Sequence, residues 1–173
     1  MIIEGTSTIH DWECDVEDIQ ADVTFDESVM EADAKQNPVT NLSLTIPVNS
    51  IESGKGGMNK KIYGALKDDK HPNITFELKN AEIEQSSTQA TNGQEPSFQL
   101  MATGMLTIAG TTNEVSFPVK TYVQDGNTYK FTGNYELNMK DYKVDPPSAV
   151  FGTIKSGEKV TISFEVYFSK NSI

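Results

Sequence analysis

Apolar residues occupy every second position along most of this chain, and that alternation constrains its fold more than any other feature. Ile19, Ala21, Val23 and Phe25 are separated by Gln20, Asp22 and Thr24. The pattern returns at Leu42–Val48, Ile74–Leu78, Phe98–Ile108, Val115–Val123, Tyr129–Met139 and Val160–Phe168. With the stretch through Trp12, Cys14 and Val16 it makes about eight strands, each apolar on one face and polar on the other. Ala109–Asn113, Asp125-Gly126-Asn127 and Ser156-Gly157-Glu158 separate the runs and read as turns. Short connections give antiparallel neighbours, and closing the sheet removes its exposed edges. The expectation is an all-β antiparallel barrel formed as one domain over residues 1–173; a two-sheet sandwich would share the alternation.

Two stretches break the rhythm. Met58, Ile62 and Leu66 recur at helical spacing, which predicts a short amphipathic helix at about 57–68 ended by His71-Pro72. It would cap one mouth of the barrel, as a lid or as a plug. Gln85–Ser97 is rich in Ser, Thr, Gln and Asn and reads as a solvated, mobile loop.

Composition then removes several functions. A formal net charge of −11 leaves no basic stripe for nucleic acid or for an anionic membrane surface. No apolar run approaches the roughly 18 residues of a membrane span, so no stable membrane insertion is expected. The single cysteine, Cys14, shares a strand face with Trp12 and Val16 and reads as a buried, inert thiol. His10 and His71 are far apart, and neighbouring His10 and Asp11 point to opposite faces of a strand, so no metal site is expected. No nucleophile elbow, phosphate loop or zinc-protease motif occurs, and the carboxylates fall on polar faces and in loops. The reading is a protein without a catalytic set and without a cofactor.

The interior offers more. An eight-stranded barrel can be filled by side chains or hold one small ligand. Inward parity and bulk select Trp12, Phe25, Phe76, Leu106, Phe117, Phe131, Tyr135 and Phe164 as cavity candidates, joined by Met58, Ile62 and Leu66 from the helix. Gly104 and Gly133 also fall on inward positions, where strand bending, close backbone approach or room for a ligand would each explain them.

Several segments resemble a known family. Gly5-Thr6-Ser7-Thr8-Ile9-His10-Asp11-Trp12, Ala65–Lys67 through His71–Phe76, Gly104–Thr112, Met139–Tyr142 through Asp145-Pro146-Pro147, and Gly157–Ile162 run in order across nearly the whole chain. Together they are similar to the YceI-like family of lipocalin-like barrels associated with polyisoprenoids and related long-chain lipids. The resemblance implies an eight-stranded antiparallel lipocalin-like barrel, a ligand cavity, no required metal and a periplasmic or otherwise extracytoplasmic place in a bacterium. The family's first strand carries more residues than precede Gly5 here, so the N-terminal strand reads as truncated and an export signal as removed.

The expected function is binding, transport or storage of a long apolar ligand, a polyisoprenoid or isoprenoid quinone. Burying a prenyl chain gains about 25 cal/mol for each Å² removed from water. With few basic residues near inward positions, a neutral headgroup fits better than a pyrophosphate. The rivals are a fatty acid or fatty amide, which a Lys or Tyr anchor would favour, and a filled barrel acting as an interaction protein. A metal enzyme using His10 and Asp11 ranks last. The protein would be a monomer or homodimer.

Overall fold

The computed structural model describes residues 1–25, 39–87, 97–124, 128–149 and 154–169. Eleven strands run as β1 (Ile2–Ser7), β2 (Trp12–Val16), β3 (Gln20–Phe25), β4 (Val39–Pro47), β5 (Ile51–Glu52), β6 (Asn73–Ser87), β7 (Ser97–Ile108), β8 (Thr111–Gln124), β9 (Thr128–Asn138), β10 (Ser148–Ala149) and β11 (Ile154–Ser169). They form one antiparallel sheet in the order β3-β4-β6-β7-β8-β9-β11-β1-β2-β5, with β10 paired to β11. The sheet curls into a half-barrel, an all-β lipocalin-like architecture. The connection from β2 to β3 meets the segment Val48–Ser50 between β4 and β5, where the Glu17 amide donates to the Ser50 carbonyl at 3.0 Å and the Ser50 hydroxyl donates to the Asp18 carbonyl at 3.2 Å.

All eight strands expected from the alternation are present, and β1, β5 and β10 are additional. Two of these three are only two residues long, too short for a period to register. Ser156-Gly157-Glu158 is no turn: it lies inside β11, at a bulge where β1 shifts register between Gly5 and Ser7. A Cβ at Gly157 would meet the Thr6 hydroxyl at 2.5 Å, so glycine serves close strand approach there. The turn after β7 tightens to Ala109-Gly110, both at positive φ (49° and 79°), as a two-residue hairpin requires. Asp125-Gly126-Asn127 lies outside the described residues, although Gln124 and Thr128 on either side are paired. The polar Gln85–Ser97 stretch proves strand at both ends, since Gln85, Ser86 and Ser87 pair with Gln99, Phe98 and Ser97; residues 88–96 lie outside the described residues.

The alternation translates into burial almost position by position. Leu100, Ala102, Gly104, Leu106 and Ile108 of β7 are all buried, while their neighbours Met101, Thr103, Met105 and Thr107 are only half-buried. A bulge in β6 between Leu78 and Asn80 flips the parity and turns Ala81 inward, and the register shifts again between Ile83 and Gln85. On the wet face, Lys159–Glu136 bridges neighbouring strands and Lys79–Glu114 reaches across β7 from β6 to β8 (both 2.7 Å); exposed pairs of this kind contribute little.

The one α-helix among the described residues, α1 (Gly56–Leu66), ends before the predicted stop at His71-Pro72. Lys67 adopts the left-handed conformation (φ 58°), and the Asp68 amide returns to the Tyr63 carbonyl at 3.1 Å, closing the last turn. Buried Asn59 accepts from the Ser53 amide (2.9 Å) and hydroxyl (2.6 Å). Tyr63 donates to the Asn49 and Ile51 carbonyls, both at 3.1 Å, so the helix is pinned across one end of the barrel.

Candidate functional site

Beneath α1 lies a cavity of about 90 Å³ whose wall is almost entirely apolar. The helix contributes Ile62, Ala65 and Leu66; β1 and β2 contribute Ile3, Trp12 and Cys14; β11 contributes Val160 and Ile162. The remaining wall comes from Ile51, Ile74, Ile108 and Leu137 and from the segment after β9, through Met139, Tyr142, Val144 and Pro147. None of these residues is basic, so an anion placed here would be desolvated without a counter-charge.

Three predicted residues, Trp12, Ile62 and Leu66, line this chamber. Trp12 is fixed by its indole N–H, which donates to the Thr6 carbonyl at 3.0 Å. Its ring covers Gly5, its cross-strand partner, so closely that a Cβ there would collide with it. Met58 packs half-buried beside Cys14, Val16, Ile51 and Ile62 without reaching the chamber wall. Phe76 and Leu106, cross-strand partners, belong to the core around the chamber.

Phe117, Tyr135 and Phe164 sit further along the barrel. Phe117 is the centre of an aromatic group, with ring centroids 5.7 Å from Phe76, 5.5 Å from Tyr135 and 6.0 Å from Phe164. Phe131 lies beyond, in a second buried cluster with Leu100, Ala102, Val119 and Tyr129, edge-on to Phe168 at 5.7 Å. The Phe25 side chain lies outside the described residues. Parity therefore identifies inward faces, but it gathers residues from different depths of the barrel.

The inward glycines turn out to seat rings. A Cβ at Gly104 would stand 2.5 Å from both the Phe76 ring and the Glu77 carbonyl oxygen. At Gly133 it would stand 2.6 Å from the Phe164 ring and 3.0 Å from the Pro118 carbonyl oxygen. Close approach and ring packing use the space that each missing side chain leaves.

The chamber's ionisable groups are held neutral. Burial pushes the Cys14 thiol up to about 11, helped by the charges of Asp15, Glu52 and Glu13, so it is not a ready nucleophile. Burial likewise pushes the Tyr142 hydroxyl up to about 12. That hydroxyl, on a side chain only 2% exposed, has no hydrogen-bond partner. The Asn113 amide, one of whose N–H groups donates to the Asp141 carbonyl at 2.9 Å, lies close enough to ease the hydroxyl's ionisation. Tyr142, Val144 and Pro147 are wall residues that alternation misses, because they follow β9 in a 3₁₀ turn and an irregular segment. The available signal was Tyr142 and Val144 standing singly among the charged residues Asp141, Lys143 and Asp145.

His10 and His71 do not meet. His10 is exposed beside Ser7, and the His71 ring packs against Gly110, where a Cβ would stand 2.5 Å away. Among the described residues no three His, Cys, Asp or Glu side chains gather as metal ligands, and no helix is long and apolar enough to cross a membrane.

A curled antiparallel sheet with an apolar chamber closed by a helix defines a lipocalin-like barrel protein. The YceI-like domain model matches residues 4–168, and the chain belongs to the YceI-like family. Among solved structures it resembles BcnA of Burkholderia cenocepacia, with 22% identity, a TM-score of 0.69, and 97% of this chain and 96% of that one covered. A polyisoprenoid-binding domain from Saccharophagus degradans, implicated in plant cell wall breakdown, aligns at a TM-score of 0.68 with 10% identity, covering 97% and 91%. The Campylobacter jejuni YceI protein aligns at 0.64 with 18% identity, covering 90% and 83%. No curated protein sequence matches.

Proposed function

We propose that this protein is a non-catalytic carrier or storage protein that holds a neutral apolar ligand, an isoprenoid lipid or isoprenoid quinone, inside the barrel and works outside the bacterial cytoplasm. The observation that carries the reading is the apolar chamber under α1 in a member of the YceI-like family. The polyisoprenoid-binding relative supports the ligand class. An uncharged wall without basic residues favours a neutral head over a phosphate.

A second reading, a fatty amide or fatty acid, is favoured by Tyr142, whose buried hydroxyl is free to donate to a carbonyl oxygen at the chamber wall. Native mass spectrometry of freshly purified protein, followed by organic extraction, tests both. An isoprenoid released on denaturation supports the first reading and an acyl compound the second. Protein that flies empty and takes up neither added quinones nor fatty acids overturns both in favour of a filled barrel. In the acyl case, Tyr142→Phe should weaken fatty-amide binding by roughly tenfold, the loss of about one hydrogen bond.

A further inference from the structure

We infer that Phe117 is the residue that sets how much of an apolar chain the barrel accepts. The inference rests on the proposed ligand class and names what limits it. The two largest buried clusters, one around the chamber and one around Leu100 and Phe131, share only Leu78 and Phe117 among the half-buried side chains packed against them. Phe117 stands between them with Phe76 and Tyr135 on the chamber side and Phe164 on the other, all with centroids within 6.0 Å. The flanking rings have little freedom to retreat, because Phe76 is seated on Gly104 and Phe164 on Gly133. Phe117 and Tyr135 are half-buried and have no such glycine seat, and of the two only Phe117 packs against both clusters, which makes it the ring whose movement would connect them.

The chamber stops short of this constriction, for neither Phe117 nor Phe76, Tyr135 or Phe164 belongs to its wall. A cavity of roughly 150 Å³ holds one benzene molecule. At about 90 Å³ the chamber holds no more than one isoprene unit, and a longer chain has to pass the Phe117 ring to bury more. Apolar affinity ordinarily climbs with every buried carbon. Here the climb stops at the constriction until the ring swings aside.

The test is a series of prenols with one to four isoprene units, prenol, geraniol, farnesol and geranylgeraniol, titrated into the intact protein. The single tryptophan, Trp12, lines the chamber, so its emission reports chamber occupancy, and native mass spectrometry reports total binding. For the unaltered protein the expected result is affinity that stays level from prenol to geranylgeraniol. For Phe117→Ala, and for Phe117→Leu should the smaller residue compromise folding, affinity should keep rising by at least tenfold per added unit. Equal slopes in the unaltered protein and a folded Phe117 variant overturn the role of Phe117 and leave the ligand class standing. No prenol bound by any of these proteins overturns both.

Discussion

The two ends of this barrel are built from strands with the same alternation, yet they fill their interiors differently. The helix end is walled mainly by aliphatic side chains from many short elements and retains a chamber. The opposite end is built from the long hairpin strands β7, β8, β9 and β11 and packs aromatic rings, with Phe131 edge-on to Phe168 and Phe164 seated on Gly133. Each end buries a hydroxyl without a partner, Tyr142 at one and Thr121 at the other, and the helix end also buries Ser50, Asn59 and a carboxylate oxygen of Glu52. The difference is in how completely rings and backbone meet. A helix laid across a barrel mouth touches the wall along one stripe only, so void collects beneath it, whereas cross-strand rings interdigitate. The place where packing is least complete is the place where a ligand can compete for space.

The hardest trial of this contrast removes one ring from each end. Phe76→Ala and Phe131→Ala should each cost about 3–5 kcal/mol in urea unfolding, as buried phenylalanines do. Only the Phe76 variant should enlarge the chamber and increase binding of a small apolar probe. Equal uptake by both variants would mean the two ends are one connected space.

A smaller effect comes from filling a ring seat. Gly104→Ala should cost about 1–3 kcal/mol, because the new methyl meets a backbone carbonyl that cannot move aside as well as the Phe76 ring. A stability unchanged by this substitution would show that Phe76 is free to leave its seat.

The mildest trial is alkaline. Cys14 ionises near 9 in an exposed thiol and near 11 here, so the folded protein keeps a proton that the unfolded chain loses. Stability from this group is complete below about pH 9 and falls as pH rises toward 11, by at most about 1.4 kcal/mol per pH unit. Tyr142 continues the fall at still higher pH. Cys14→Ala should flatten the first part of that slope in unfolding measured at successive pH values. An unchanged slope would place the alkaline sensitivity elsewhere than the chamber wall.

Much of the fold was legible because a barrel strand has one dry face and one wet face, and period two records both. The six alternating runs from β4 onward and the Met58–Ile62–Leu66 stripe of α1 could be read directly. The site was legible only in part. Trp12, Ile62 and Leu66 line the chamber, while Phe117, Tyr135, Phe164 and Phe131 have the same inward parity at other depths. Glycine was ambiguous for a related reason: an absent side chain in the sequence gives no sign of which ring from the next strand occupies its place.

The residues of this chain by themselves determined an all-β sheet with an apolar inner face, a helix with one apolar stripe, an inert cysteine and a family, because each is a matter of local pattern or of motifs in order. Tertiary structure alone decided that Ser156-Gly157-Glu158 is a bulge within a strand, that Gly104 and Gly133 seat phenyl rings, and that Tyr142 and Val144 close the chamber. These depend on register and depth, which are set by how strands stagger around the barrel. Stagger is fixed by contacts between residues distant in the chain, as when Gly133 of β9 comes to lie opposite Phe164 of β11.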